Sequence, residues 1–192
     1  MELFIIIFCS YIAGSIPFGF ILTKFFLGKD IRTIGSGNIG ATNTLRTGNK
    51  LLGYSTLTLD ILKAIMPILI VKIYFTDYIF ISSLCVFLGH IFPIWLKFKG
   101  GKGVATYVGI LFCINYFTGF IFIGIWLLIY LIFKFSSLSS LIASLIIPFY
   151  QFYFYEDQNY YFYIIMFILI FFTHRENIKR LINKSESKTK IY

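Results

Sequence analysis

Seven apolar runs, at approximately residues 3–26, 51–75, 78–96, 104–116, 119–133, 141–155 and 160–173, fill most of the 192-residue chain. A water-soluble domain cannot absorb them, because its shell must be largely polar. Here 58% of residues are hydrophobic, 21% aromatic and only 13% charged. The same figures, with a mean hydropathy of +0.84, exclude a disordered chain. At roughly 20 residues per crossing, the length accommodates up to seven short spans and leaves little for a separate soluble module. The sequence therefore predicts an all-α, polytopic integral membrane protein, a seven-transmembrane-helix bundle forming one domain over residues 1–192.

Charge sets the direction. Seven spans bring segments 24–50, 97–102, 134–140 and 173–192 to one face, and these hold 15 of the 17 basic residues, all but Lys63 and Lys72. The opposite face receives Glu2, Asp77, Glu156 and Asp157, with only Lys72 near it. By the positive-inside rule the basic face is cytoplasmic, which puts the N-terminus outside and the C-terminus inside. Only Asn115-Tyr116 and Thr118-Gly119 mark a reversal between the fourth and fifth runs. One long helix there would give six spans, move Lys134 and the C-terminal cations outside, and destroy the asymmetry. The N-terminus carries Glu2 and no basic stretch, so no removable signal peptide is expected, and residues 183–192 read as a solvated tail. The excess of basic over acidic residues, 17 against 8, reports loop charge and anionic partners rather than nucleic acid. Cys9, Cys85 and Cys113 are odd in number and sit within apolar runs, so they are expected to pack as small hydrophobes, with no metal site.

The unusual polar sequence gathers on the cytoplasmic face in three clusters. The first runs from Arg32 to Arg46 as RTIGSGNIGATNTLR. Its glycines Gly35, Gly37 and Gly40, with Ser36, Asn38, Thr42 and Asn43 between and beyond them, let backbone N–H groups turn toward an anion. Arg46, with Arg32 as a second candidate beside it, offers a planar donor suited to phosphate. No Gly-Lys-Ser/Thr follows, so this is not a nucleotide loop. The second cluster is Gly89-His90-Ile91-Phe92-Pro93 followed by Lys99-Gly100-Gly101-Lys102-Gly103. There a glycine loop opens into an apolar helix, a second place for an anion. His90 lies within a span and reads either as functional or as a packed, neutral histidine. The third is His174-Arg175-Glu176-Asn177-Ile178-Lys179-Arg180-Leu181, in which His174 and Asn177 share a helix face. Lipid-gripping loops would account for the cations of these clusters, but not for the glycines or the His/Asn pair. Asp60 and Lys63, i and i+3 inside the second run, are expected to pair, and a Ser-rich turn spans residues 136–140.

In these motifs, in this order, the chain resembles the bacterial acyl-phosphate:glycerol-3-phosphate acyltransferases, the PlsY family; Ser15-Ile16-Pro17-Phe18-Gly19 and Asp60-Ile61-Leu62-Lys63-Ala64 match family stretches too. The resemblance implies a multi-pass protein of the bacterial cytoplasmic membrane with its site facing the cytoplasm. It implies transfer of an acyl group from acyl phosphate to the 1-hydroxyl of glycerol 3-phosphate, giving lysophosphatidic acid and phosphate. The implied catalytic residues are Ser36, Arg46, Lys102, His174 and Asn177. Substrate binding falls to Gly35, Gly37, Asn38, Thr42, Asn43, Gly100, Gly101 and Gly103, and to a serine among four in the turn, with Ser139 chosen. After Leu181 the family usually continues with a Gly-Thr-Glu-like turn, where this chain has Lys184-Ser185-Glu186. An acyl phosphate is already activated, so the chemistry calls for orientation and charge stabilisation without metal or cofactor. The expected partners are acyl phosphate, glycerol 3-phosphate and membrane lipid. The competing reading is an organic-phosphate transporter or channel, which sealed vesicles would distinguish from an enzyme active in detergent.

Overall fold

The structure, a computed structural model, describes residues 1–155 and 159–188. Glu156, Asp157 and Lys190, counted in the charge asymmetry, lie outside the described residues. Helices are the only regular elements among the described residues, and they fall into two compact units, Met1–Ile114 and Asn115–Tyr192.

The first unit contains α1 (Glu2–Ser15), α2 (Phe18–Leu27), the short α3 (Ala41–Leu45), α4 (Lys50–Tyr74), α5 (Ile79–Ile91) and α6 (Val104–Ile114). The first apolar run is thus two helices and not one. Ile16, extended at φ −64° and ψ 116°, precedes Pro17, which cannot continue the α1 hydrogen-bond ladder. At the break the Ile16 carbonyl accepts from the Phe18 N–H at 3.2 Å and from Lys63 Nζ of α4 at 2.7 Å. Lys63 also pairs with Asp60 at 2.8 Å, as the i, i+3 spacing anticipates. α1 packs along α5 through small residues. A side chain at Gly14 would strike the Val86 backbone and one at Gly89 the Tyr11 carbonyl, while Ser10 and Ser82 join hydroxyls at 2.9 Å. Close backbone approach of this kind is how helices associate where lipid removes the hydrophobic drive. α4 packs against both α5 and α6.

The second unit contains α7 (Tyr116–Phe133), α8 (Ser136–Tyr155), α9 (Tyr160–Thr173) and α10 (Arg175–Ile182). The Asn115 side chain caps α7, accepting from the N–H groups of Phe117 and Thr118 at 2.9 and 3.3 Å. This cap interrupts the long helix that would have merged the fourth and fifth runs. α8 packs on α7 and α9, with Gln151 donating to Thr118 at 2.6 Å and Trp126 to Ser140 at 3.0 Å. The serines of 136–140 open α8 instead of forming a loop. Lys134, left-handed at φ 63°, closes α7 and makes the turn between the helices with few residues.

Burial is inverted relative to a soluble protein. Ser82, Ser83, Thr106, Thr118 and Ser144 are fully buried, while Phe4, Phe25 and Tyr153 are 77–80% exposed. Large apolar side chains on the outside require an apolar surround. The stretches Glu2–Leu27 and Thr76–Leu96, with α7 and α8, are each long and apolar enough to cross a membrane; α6 and α9 are apolar but shorter. Of the cysteines, Cys113 is buried and Cys9 lies on an exposed face.

Candidate functional site

The first motif is a loop tied down from inside. Asn43, 2% exposed, sends Nδ2 to the carbonyls of Asn38, Ile34 and Ile31 at 2.8, 2.9 and 3.2 Å, and its Oδ1 accepts from the Ser36 amide at 2.9 Å. Gly35 and Gly37 take φ of 55° and 71°, the left-handed region that glycine enters without a Cβ penalty. They turn Ser36 outward between them, where it is exposed. A Cβ on Gly35 would meet Arg46 Cδ at 2.9 Å, so the Arg46 side chain runs directly beside the Gly35–Ser36 backbone. The loop differs from a simple amide nest. The Ser36, Gly37 and Gly40 amides bond to Asn43 Oδ1, the Ile34 carbonyl and Asn38 Oδ1. What it presents outward is the Ser36 hydroxyl and the Arg46 guanidinium, with Thr42 on α3 half-buried nearby in sequence. Arg32 is engaged elsewhere: Nη2 meets Asp30 Oδ2 at 2.7 Å, Nε meets Oδ1 at 3.0 Å, and the guanidinium stacks over Phe20. Its hydrogen bonds hold the Asp30 carboxyl down to about 2.

The second motif caps a helix. The last carbonyls of any helix lack intrahelical donors, and α5 receives them from the glycine loop. Gly101 N donates to the His90 carbonyl and Gly100 N to that of Ile91, both at 3.1 Å. Two amides expected to face an anion are therefore used on α5. Side chains at either position would collide with the residues beneath, Gly100 with the His90 carbonyl and Pro93, Gly101 with the His90 ring. Lys102 follows, half-buried, and Gly103 at φ 84° opens α6.

The third motif is the most polar. His174, 2% exposed, joins α9 to α10, with Nδ1 2.8 Å from the Ile170 carbonyl. A carbonyl can only accept, so Nδ1 carries the hydrogen and Nε2 holds the lone pair of the neutral ring. Asn177, 4% exposed, donates from Nδ2 to Glu186 Oε1 at 2.6 Å. A carboxylate likewise only accepts, which fixes the amide's orientation and leaves Oδ1 as its other face; that oxygen makes no hydrogen bond among the described residues. Glu186 also accepts from Ser137 at 2.8 Å and from Arg180 Nε at 2.7 Å. Partial burial works to raise its pKa, and the three donors together outweigh it, leaving the carboxyl below its ordinary value. Of the Ser-rich segment, Ser137 reaches this cluster. Ser139 is fully buried and donates to the Phe135 carbonyl at 2.9 Å. The sequence reading selects Ser139, whereas Ser137 is the serine bonded to the Glu186 carboxylate of the last turn. No group of three or more His, Cys, Asp or Glu side chains suited to a metal occurs among the described residues.

The turn after α10 forms without glycine. Lys184 N donates to the Leu181 carbonyl and Ser185 N to that of Arg180, the paired bonds of a Schellman end. Lys184 itself takes the left-handed φ of 56°.

A sequence model described as "Glycerol-3-phosphate acyltransferase" matches residues 4–184. A glycerol-3-phosphate acyltransferase of Pelagibacter ubique is 68% identical over 192 residues, covering all of both chains. One of Bartonella henselae is 47% identical, over 93% of this chain and 88% of its own. The crystal structure of PlsY (YgiH), an integral membrane glycerol 3-phosphate acyltransferase, in its glycerol 3-phosphate form is similar at a TM-score of 0.93 and 35% identity. It matches over 99% of this chain and 96% of that one. The lysophosphatidic acid form of PlsY gives 0.89 and 34%, over 98% of this chain and 95% of that one.

Proposed function

The chain belongs to the glycerol-3-phosphate acyltransferase family, and on that premise we propose that it acylates the 1-hydroxyl of glycerol 3-phosphate with acyl phosphate as donor. It is an integral membrane acyltransferase of phospholipid synthesis. The hydroxyl oxygen attacks the acyl carbonyl carbon, the bond from that carbon to the phosphate oxygen breaks, and the hydroxyl proton ends on the released phosphate. Lysophosphatidic acid and hydrogen phosphate are the products. Because phosphate leaves readily, the protein's part is to align the reactants and neutralise charge.

Ser36, Arg46 and Lys102 take the phosphates in this reading. Gly35, Gly37, Asn38 and Thr42 shape the first loop around them, Asn43 holds that loop from within, and Gly100, Gly101 and Gly103 shape the second. His174 and Asn177 take the hydroxyl. The observation that carries this last assignment is the orientation of Asn177: with its NH₂ on Glu186, it presents an acceptor oxygen. An acceptor suits a hydroxyl and repels a phosphate oxygen. Ser137, bonded to the same carboxylate, joins Ser139 as the serine of the α8 end assigned to the site.

Seven spans, with the N-terminus outside and the three motifs on the cytoplasmic side of a bacterial inner membrane, agree best with the distribution of basic residues. In that arrangement residues 1–192 act as one catalytic domain, with α4 crossing despite its buried ion pair.

The test is phosphate release from a synthetic long-chain acyl phosphate by protein in detergent, with and without glycerol 3-phosphate. Release that depends on the acceptor and is matched by lysophosphatidic acid is expected. Release independent of it, or product formed only across sealed vesicles, would overturn the reading. Arg46→Lys keeps the charge and loses the planar fork, so about 100-fold lower turnover is expected.

A further inference from the structure

One buried polar cluster in the first unit touches the second motif without belonging to any assignment above. Asp60, Lys63 and His90 are 2%, 6% and 3% exposed. Lys63 Nζ bridges Asp60 Oδ1 and the Ile16 carbonyl. The same carboxylate oxygen is faced by His90 Nδ1 at 3.8 Å, an electrostatic contact longer than a hydrogen bond. The opposite edge of the imidazole lies against the glycine loop. A methyl built on Gly101 would land on Nε2 and come within 2.7 Å of Cε1 and 3.0 Å of Cδ2. The backbones of the same two residues are bonded, Gly101 N–H to the His90 carbonyl at 3.1 Å. The imidazole is therefore the floor on which Gly101 rests, with Asp60 at its Nδ1 edge. Net stability is a poor account of such a cluster, since apolar residues of equal volume commonly do as well as a buried ion pair. Orientation of the ring is a better one.

We propose that His90 is a positioning residue for Lys102. Its ring, oriented by Asp60 and Lys63, sets the height of the Gly101 backbone, and with it the place from which Lys102 and the start of α6 project. His90 touches no substrate in this scheme. The proposal rests on the assignment of Lys102 to a substrate phosphate.

The test is a double-mutant cycle on purified protein in detergent, reading phosphate release from a synthetic acyl phosphate as glycerol 3-phosphate is varied. Gly101→Ala pushes the loop off the ring, and His90→Ala removes the floor. Each is expected to raise KM for glycerol 3-phosphate about tenfold with kcat within about threefold, as a displacement of the binding group predicts. In the double variant the methyl occupies the space the ring vacated, so its KM is expected near that of one single variant. A KM equal to the product of the two single effects would show independent sites and overturn the proposal. So would single variants that lower kcat at unchanged KM. His90→Gln, which keeps a polar group toward Asp60, guards against a His90→Ala protein that does not fold. It is expected to recover KM to within about threefold of wild type, and a KM in His90→Gln as high as in His90→Ala would count against an orienting role. Failure of the underlying assignment reads differently. Lys102→Ala with wild-type KM would remove Lys102 from the site, while the coupling between His90 and Gly101 would still register in the thermal melting of the same four proteins.

Discussion

Each unit holds a nearly buried carboxylate, Asp60 in the first and Glu186 in the second, and the two are satisfied in opposite ways. Asp60 sits in the middle of α4 with a single cation, Lys63, at 2.8 Å and an imidazole at 3.8 Å. Glu186 lies beyond the last helix and gathers three donors, Ser137, Asn177 and Arg180, at 2.6–2.8 Å. Arg180 is still 38% exposed on its side chain, whereas Lys63 is 3% exposed. The first arrangement balances charge inside a helix contact, so losing one partner strands the other in an apolar surround. The second ties together two helices and a tail by hydrogen bonds, so losing the carboxylate frees groups that water can partly serve. The first pair cannot lose one member without stranding a buried charge; the second fixes the orientation of the Asn177 amide.

The largest expected effect follows from the first half of that contrast. Asp60→Ala leaves the buried Lys63 ammonium without its counter-charge, held by the Ile16 carbonyl and the face of the Phe18 ring, and a loss of about 3–5 kcal/mol is expected. Thermal melting in detergent measures it, and an Asp60→Ala protein melting with wild type would erase the distinction. Glu186→Ala comes next. It leaves the Asn177 amide without its acceptor and should cost about 2 kcal/mol, together with about a tenfold fall in turnover as Asn177 loses its fixed orientation. If this variant lost as much stability as Asp60→Ala, the two carboxylates would have the same role after all.

Acid sharpens the comparison further. The Glu186 carboxyl is depressed, so its contribution is complete above its ordinary value of 4.5 and is withdrawn as pH falls through the lower folded value. Wild-type melting temperature should therefore drop, as pH falls below the ordinary value of 4.5, by more than that of Glu186→Ala. Parallel pH curves for the two proteins would show that the carboxylate is not held as described. Asp30, also depressed by Arg32, is present in both proteins and cancels from the difference.

How much of this was legible beforehand varies with the range of the interaction. The apolar runs and the Asp60–Lys63 pair are local, and a period or an i, i+3 spacing reveals them. Pro17 was legible too, yet a run read for hydropathy alone passes over it. The destinations of the loop amides were not legible, because Gly100 and Gly101 bond to the carbonyls of Ile91 and His90, at the end of α5. A glycine-rich string looks the same whether its N–H groups await an anion or cap a helix. Arg32 was likewise open until Asp30, two residues away, was seen to hold it. That Ser137, among the four serines, reaches Glu186 was not legible either, because the bond spans 49 residues.

The smallest expected effect concerns the turn that delivers Glu186. A Schellman end places its C′ residue in the left-handed region, which glycine enters freely and a side chain enters at a cost of about 1–2 kcal/mol. Lys184 occupies that position at φ 56°. Lys184→Gly removes the steric term but adds freedom to the unfolded chain, which offsets part of the gain. The remainder, about 0.5 kcal/mol of stabilisation, should appear as a slight rise in melting temperature with unchanged KM and kcat. A loss of activity in Lys184→Gly would mean that the lysine side chain acts on substrate or lipid. The turn would then serve the second carboxylate cluster by charge as well as by shape, which would narrow its contrast with the ion pair of α4.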